Sequence, residues 1–261
     1  MSAEAPSAAT QAARLLVAVR RGAPRLPALP VAVAPQTLEA AYAIQHEVLR
    51  ELGGRVAGWK ATLFDARHGI CAPLAAHSII DAPAYFMTYR AATAHTTRFG
   101  VEPEIAFRVG EDLPPLAAGQ RYEREQVCTA LVSAHAAVEI VTSRYADGDS
   151  VTQLERVADL FMNEALVVGL SVPGWRDLAI ADLELEVRID GVCLFRGRGG
   201  HPLSDPLLPV LWLANHLSGR GQGLRAGDLV TTGSCNGVRL LAPGQHYSAY
   251  FVGLGASMVT F

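Results

Sequence analysis

Lysine is almost absent from this sequence. Of its 22 basic residues only Lys60 is a lysine, so arginine fills every other basic position. An amine differs from a guanidinium in being a compact charge that can lose its proton when it is buried. Lys60 stands in the apolar context VAGWKA. We therefore treat Lys60 as a candidate catalytic residue. The alternative is that Lys60 lies on the surface and that its identity reflects mutational drift.

Cysteines are few and scattered. None has the spacing of a metal-binding pair, and a chain of 261 residues can bury a full core without disulfides. They are predicted to be free thiols in a reducing compartment. Arg14 and the pair Arg20-Arg21 interrupt the alanine-rich N-terminal stretch before a signal-peptide core or a membrane span forms. We expect a cytoplasmic protein.

Charge is also sparse. Charged residues make up 18% of the chain, half of it is hydrophobic, and the net charge is −3. This composition indicates a globular protein and gives no electrostatic reason to expect nucleic acid or an anionic membrane as a partner. An anionic substrate would need a local positive centre.

Apolar periodicity predicts helices in the first part of the chain, over residues 7–21 and 37–52. From residue 55 onward the pattern shortens into strands, and residues 64–95 show too little periodicity for an assignment. A further helix is expected over residues 121–135. It leads into a strand that carries Glu139.

The second half of the chain is predicted to be rich in strands. Residues 183–195 form a hairpin that turns at Asp190-Gly191, and a helix follows from about Asp205 to Gly219. The fold class is therefore α+β. We predict a helical N-terminal segment, residues 1–55, that packs on a β-rich catalytic domain, residues 56–261.

Two carboxylates stand two residues apart in the apolar run VEPEIAF at 101–107. On a strand, Glu102 and Glu104 point to the same face about 7 Å apart, whereas on a helix they would point to nearly opposite sides. Pro103 disfavours a helix and suits an edge strand. Glu102 and Glu104 can therefore close on one ion if the segment is extended.

A third carboxylate, Glu139, is flanked by apolar residues, which is costly unless something cationic pairs with it. Three oxygen ligands suit Mg²⁺, Mn²⁺ or Ca²⁺ better than zinc. Glu184 and Glu186 have the same spacing as the first pair, however, and there the alternation indicates a half-buried strand with a solvated face. Local pattern alone does not separate the two pairs.

Seven segments, in this order, resemble the hydratase/decarboxylase branch of the fumarylacetoacetate hydrolase superfamily, typified by 2-keto-4-pentenoate hydratase. They are Ala41-Tyr42 with Gln45, GWK at 58–60, GVEPEIAF at 100–107, VEIV at 138–141 with Ser143-Arg144, Ala158-Asp159 with Asn163, WLAN at 212–215, and Gly227-Asp228 before TGS at 232–234. The resemblance implies a β-rich roll or sandwich core with a helical N-terminal part. It also implies Mg²⁺ or Mn²⁺ held by the carboxylates of Glu102, Glu104 and Glu139.

The resemblance further implies a 2-oxo acid substrate and a homo-oligomer, and it places Lys60 beside the substrate. There Lys60 could move a proton if burial and the nearby cation lower its pKa. Asp159 and Asn163 match positions near the substrate, and we take Ser234 and Leu63 as further substrate contacts. Helix-end hydrogen bonding explains the first two equally well, and a Gly-Ser turn explains Ser234.

The segment after Lys60 departs from the family pattern, which has a Gly and then a Thr-Ser pair. Phe64 and Asp65 are therefore expected to change the shape and charge of the pocket. His68, His135 and His201 are open candidates for catalytic or pocket-lining positions. A dinucleotide site is excluded, because the glycines at 197–200 lack a strand-to-helix pattern with a downstream acid.

The leading hypothesis is a metal-dependent lyase that adds water to a 2-hydroxy-dienoate or 2-oxo-enoate in the catabolism of aromatic ring-cleavage products. The alternatives are a 4-oxalocrotonate-type decarboxylase of a 2-oxo-3-enedioate, a C–C hydrolase of acylpyruvates, and a weakly active partner subunit that binds 2-oxo acids.

Overall fold

The structure, a computed structural model, describes residues 6–65, 67–85 and 99–261. The helices it contains are α1 Ala8–Arg20, α2 Leu38–Glu51, α3 Arg124–Ala130, α4 Gln153–Ala158 and α5 Leu207–Gly219. The strands are β1 Val56–Leu63, β2 Gly69–Ala75, β3 Ile79–Asp81, β4 Ala84–Tyr85, β5 Phe99–Val109, β6 Leu131–Val141, β7 Asn163–Val168, β8 Glu184–Ile189, β9 Val192–Arg198, β10 Leu229–Ser234, β11 Arg239–Leu241, β12 His246–Phe251 and β13 Gly255–Thr260.

The two N-terminal helices form where the periodicity predicts them. Ser7 caps α1 by accepting a hydrogen bond from the Thr10 backbone N–H, and Thr37 caps α2 in the same way. Leu16 and Val48 are buried on the faces that pack into the core, and α1 contacts α2 while α2 contacts β2 and α4.

The larger sheet has the strand order β2-β1-β10-β5-β6-β7-β3, with β11 also paired to β5. It curls into a roll, because β2 near one end of this order contacts β7 near the other. A small apolar cluster that includes Ala106, Ala137 and Leu166 is fully buried inside it. The small alanine side chains on β5 and β6 leave room for longer polar side chains on the same face.

A second sheet, with the order β4-β13-β12-β8-β9, packs against the outside of the roll. One link between the two sheets is a hydrogen bond of 2.9 Å from the Ser257 hydroxyl to the Val167 carbonyl. The core of the protein lies between these layers and under the helices. The predicted α+β class with a β-rich core is therefore confirmed.

Two predictions, the helix over 121–135 and the edge-strand position of Pro103, are wrong. The helix expected over 121–135 ends at Ala130, because residues 131–141 pair with β5 along almost their whole length and, except for Val132, are buried. Residues 64–95 contain β2, β3 and β4 in their described part, while 86–95 lie outside the described residues.

Pro103 does not lie on an edge strand, since β5 is in the middle of the sheet. Its carbonyl accepts from the Cys235 N–H at 2.8 Å, so its ring nitrogen also points towards β10. The register of the β5–β10 pair shifts between Thr231 and Ser234, beside this position. The backbone N–H donor that Pro103 lacks is not needed there, because the hydrogen-bond pattern between β5 and β10 is already interrupted.

The division into units 1–55 and 56–261 stays a prediction. One continuous hydrophobic core contains residues of α1 and α2 together with residues of both sheets. Within the described residues, every helix is too short or too polar to cross a membrane.

Candidate active site

Strand pairing brings the three predicted metal ligands together. Glu102 and Glu104 lie on one face of β5, and Glu139 on β6 stands directly opposite Glu102 in the antiparallel register. One carboxylate oxygen from each residue lies within 4.8 Å of the others. This is the one such group of three or more potential ligands that the described residues contain.

Hydrogen bonds orient two of these carboxylates. Glu104 Oε2 accepts from the Gly233 N–H at 2.9 Å and from the Thr231 hydroxyl. Glu139 Oε1 accepts from Lys60 Nζ at 2.7 Å and from Asn163 Nδ2 at 2.8 Å. Glu139 Oε2 is buried and has no hydrogen-bond partner among the described residues. A buried oxygen without a donor is costly unless a cation binds it.

The electrostatics of the cluster also suit a cation. Burial, followed by the charge of Glu139, raises the pKa of Glu102 to about 7. Burial, Glu139 and then Glu102 raise the pKa of Glu104 to about 8. Three carboxylates and one ammonium carry two negative charges when all are ionised, and a divalent cation would balance them. With oxygen donors alone, the residues present fit a hard ion such as Mg²⁺ or Mn²⁺.

Lys60 lies on β1, beside the carboxylates, and its side chain is only 6% exposed. Besides Glu139, its ammonium donates to the Phe161 carbonyl at 3.1 Å and lies 4.6 Å from the centre of the Phe161 ring. Burial by itself would lower the pKa of Lys60, but Glu139, Glu102 and Glu104 outweigh it, so the pKa is raised. The expected lowering by burial is therefore overridden, because three carboxylates lie so close to the amine.

An unusual turn presents Phe161 to Lys60. Leu160, Phe161 and Met162 have φ values of 51°, 48° and 61°, a left-handed conformation that costs each of them about 1 kcal/mol or more. Hydrogen bonds close the turn, from Met162 N–H to the Asp159 carbonyl and from Thr142 N–H to the Met162 carbonyl. Thr231 is a residue of the site that the sequence did not indicate, because its contact with Glu104 does not follow from local pattern.

A cavity of about 520 Å³ opens beside the carboxylates. It is lined by Lys60, Thr62, Leu63, Glu102, Glu104, Glu139, Val141, Phe161, Met162, Gly200, His201, Pro202, Leu203, Pro209, Thr232, Gly233, Ser234, Asn236, Gly237 and Val238. Leu63 and Ser234, two of the predicted substrate contacts, are in this wall. Asp159 and Asn163 are not.

Asp159 belongs instead to a buried ion network. Its carboxylate accepts from Arg144 Nε at 2.8 Å and from Arg20 Nη2 at 3.0 Å, and Arg144 also pairs with Glu164 at 2.7 Å. The two positive and two negative charges balance. Asn163 is buried next to this network and reaches the site only through Glu139.

The other predicted pocket residues lie elsewhere. Phe64 and Asp65 are exposed and do not line the cavity, and Asp65 pairs with His68 on the surface. His135 is buried outside the cavity, where its ring bonds Ser133 and the Gly169 carbonyl.

His201 does line the cavity, but both ring nitrogens are engaged. Nε2 donates to the Thr232 carbonyl at 2.8 Å, and Nδ1 accepts from the Leu203 N–H at 3.3 Å. Burial lowers the pKa of His201, which favours this neutral form. His201 therefore acts as a structural part of the wall.

A larger cavity of about 930 Å³ lies on the other side of β1, where Trp59 rather than Lys60 lines it. Its wall includes Tyr42 and His216, and it contains none of the three clustered carboxylates. The smaller cavity is the candidate active site, because among the described residues the candidate metal ligands and the buried amine converge there.

Residues 73–261 match the family described as fumarylacetoacetate (FAA) hydrolase, C-terminal. The chain is 32% identical over 161 residues to 2-keto-4-pentenoate hydratase of Burkholderia vietnamiensis (strain G4 / LMG 22486), which covers 62% of this chain and 60% of that protein. It is 25% identical over 232 residues to 4-oxalocrotonate decarboxylase of Pseudomonas putida, covering 86% of each. The match thus spans about three fifths of the length of that hydratase.

Among solved structures, 4-oxalocrotonate decarboxylase from Pseudomonas putida G7, complexed with magnesium and adipate, has a similar fold. Its TM-score is 0.80 at 20% sequence identity, over 96% of this chain and 97% of that chain. The family match covers well over half of the chain, and the fold agrees with it. The chain therefore belongs to the fumarylacetoacetate hydrolase family.

Proposed function

We propose that this chain is a divalent-cation-dependent hydro-lyase that adds water to a 2-hydroxy-dienoate or 2-oxo-enoate from aromatic ring cleavage. The observation that carries the proposal is the convergence of Glu102, Glu104, Glu139 and Lys60 in the wall of one cavity, where one oxygen of Glu139 has no hydrogen-bond partner among the described residues. The similarity to 2-keto-4-pentenoate hydratase supports the same reaction class.

Mg²⁺ or Mn²⁺ is the proposed cofactor, with Glu102, Glu104 and Glu139 as its protein ligands. When bound, it would supply a positive centre that attracts the carboxylate and keto oxygens of a 2-oxo acid and stabilises developing enolate charge. The net charge of the chain gives no other attraction for an anionic substrate.

Lys60 is the proposed proton carrier. An ammonium has three N–H groups, and Glu139 and the Phe161 carbonyl accept two of them, which leaves one for a ligand in the cavity. As an ammonium, Lys60 would donate a proton to carbon while the oxygen of the added water bonds to the far carbon. The amine then recovers a proton from the water that adds.

The walls of the cavity favour hydration over decarboxylation of an enedioate. Lys60 is the only Lys or Arg among the described residues that line it, and Leu63, Val141, Phe161, Met162 and Val238 give it an apolar surface. A second carboxylate on the substrate tail would lack a cationic partner among these residues. An apolar tail is the better fit.

A C–C hydrolase of acylpyruvates would need a positioned general base, and His201, the one histidine among the described lining residues, is fully engaged. A pure 2-oxo acid binding subunit would show no turnover for a substitution of Lys60 to lower. We further propose a homo-oligomer and a cytoplasmic location. Light scattering of the purified chain tests the first, and fractionation of the source cells tests the second.

The direct test is a steady-state assay with 2-hydroxypenta-2,4-dienoate and Mg²⁺. Turnover that stops with EDTA is the expected result. Release of CO₂ from a 2-oxo-3-enedioate would favour the decarboxylase instead, and inactivity on every vinylogous 2-oxo acid would overturn the proposal.

Lys60→Met separates catalysis from binding. Removing the amine is expected to lower kcat by about 10²- to 10⁴-fold, the usual contribution of a positioned acid or base. Affinity for Mn²⁺ should be retained, because the carboxylates remain and lose a competing positive charge. Loss of Mn²⁺ binding in a folded Lys60→Met variant would contradict this assignment.

A further inference from the structure

The two oxygens of Glu139 have different surroundings. Oε1 accepts from Lys60 and from Asn163, while Oε2 has no hydrogen-bond partner among the described residues. A carboxylate oxygen can only accept, so the Asn163 side-chain atom that faces it is the NH₂ group. Asn163 therefore helps fix which oxygen is occupied and which is left for a cation.

The backbone of Asn163 is fixed in turn by Arg20. Both terminal nitrogens of the guanidinium, Nη1 and Nη2, donate to the Asn163 carbonyl at 3.2 Å. Nη2 also donates to the Asp159 carboxylate at 3.0 Å, and the side chain of Arg20 is only 6% exposed. One planar guanidinium thus holds both ends of the left-handed turn between Asp159 and Asn163.

Arg20 is the last residue of α1, which lies before the segment 73–261 that matches the family. A chain of three residues therefore connects the N-terminal helix to the carboxylate cluster: Arg20, Asn163 and Glu139. A purely structural purpose for these contacts, holding α1 on the roll, would affect folding stability and leave the affinity for a cation unchanged.

We propose that Asn163 and Arg20 are positioning residues for the cation site, with Asn163 holding Glu139 Oε1 so that Oε2 is presented to the ion. This inference rests on the proposed function. It assigns Asn163 to the metal ligand rather than to the substrate, and it makes α1 part of the active-site machinery.

The test is Mn²⁺ binding by the EDTA-stripped full chain, measured by calorimetry or electron paramagnetic resonance well below the melting temperature of each variant. Asn163→Ala removes the amide and keeps the backbone carbonyl that Arg20 binds. We expect the Mn²⁺ dissociation constant of this variant to be about 10- to 100-fold higher than that of the wild type, the usual effect of losing a hydrogen-bond partner of a metal ligand.

Arg20→Lys keeps the charge but loses the planar fork, so it should weaken Mn²⁺ binding in the same direction by a smaller factor. Arg21→Lys is the matched control, because Arg21 is the next residue along, is exposed, and donates to the Glu51 carbonyl at the surface. The Mn²⁺ affinity of Arg21→Lys should equal that of the wild type.

Wild-type affinity in both folded variants, Asn163→Ala and Arg20→Lys, would overturn the inference and leave the proposed function standing. If Asn163→Ala does not fold, the milder Arg20→Lys variant decides alone. A wild-type chain that binds no Mn²⁺ would overturn the proposed function itself, so the two failures are distinguishable.

Discussion

Lys60 and Glu139 form an ion pair of 2.7 Å in which both side chains are almost completely buried. Such a pair is stable only when further hydrogen bonds compensate for the lost hydration. Lys60 donates one to the Phe161 carbonyl, and the Asn163 amide donates one to Glu139. Burial and the charge of Glu139 raise the pKa values of Glu102 and Glu104, although Glu104 also accepts hydrogen bonds from the Thr231 hydroxyl and the Gly233 N–H.

A pH dependence of stability follows for the protein without metal. The folded-state pKa values of about 7 for Glu102 and about 8 for Glu104 lie above the ordinary 4.5, so the folded state keeps protons that the unfolded chain releases. Their stabilising contribution is complete below about pH 4.5 and is lost as the pH rises through about 7–8.

We therefore expect the EDTA-treated protein to have a lower Tm at about pH 8.5 than at about pH 6, because Glu102 and Glu104 lose their protons in the folded state over this range. A Glu102→Gln, Glu104→Gln double variant should show a smaller fall in calorimetric melting curves. An equal fall in both proteins would contradict the assigned pKa values.

Strands β5 and β8 carry the same Glu-x-Glu spacing in different surroundings. On β5 the pair faces the interior of the roll and Glu139, whereas on β8 Glu186 is paired with Arg188 and Arg196 and the arginines are largely exposed. Hydrogen bonds from these arginines lower the pKa of Glu186. The same local pattern thus gives a candidate ion site in one element and a solvated ion-pair face in the other.

Matched substitutions on the two strands test this difference. Glu104→Gln should weaken Mn²⁺ binding by more than about 100-fold, because it removes a proposed ligand. This loss exceeds the one expected for a residue that only hydrogen-bonds to a ligand. Glu184→Gln on β8 should leave the affinity unchanged. Calorimetric titration of both variants checks this, and similar losses in the two would mean that the site is not on β5.

The whole molecule holds the site between elements that are far apart in sequence. The candidate ligands come from β5 and β6, the amine comes from β1, and the turn that carries Phe161 is anchored by Arg20 of α1. A cation bound to the folded state alone should therefore stabilise the entire fold by mass action.

At a cation concentration of one hundred times the dissociation constant, the gain is about 2.7 kcal/mol. For a chain of this size that is a rise in Tm of about 5–10 °C. Melting curves with Mn²⁺ and with EDTA measure it, and Glu104→Gln serves as the control that should show almost no rise. No shift in the wild type would count against the metal site.

Much of the secondary structure was predictable from local pattern. The helices α1 and α2, the hairpin β8–β9 and the extended Glu102-Pro103-Glu104 segment follow from periodicity, caps and turn residues. The end of α3 at Ala130 was not predictable, because pairing with β5 overrides the helical preference of residues 131–135. The interior position of Pro103 also depends on an irregularity in a neighbouring strand.

The sequence by itself determined the candidate site residues: a single lysine, two carboxylates at strand spacing and a third in an apolar strand. Only the tertiary structure decided how they act on one another. Strand pairing sets Glu139 opposite Glu102, the carboxylates raise the pKa of Lys60, and Asp159 and Asn163 lie behind the site rather than in it. These outcomes depend on distances between distant segments, which local pattern does not encode.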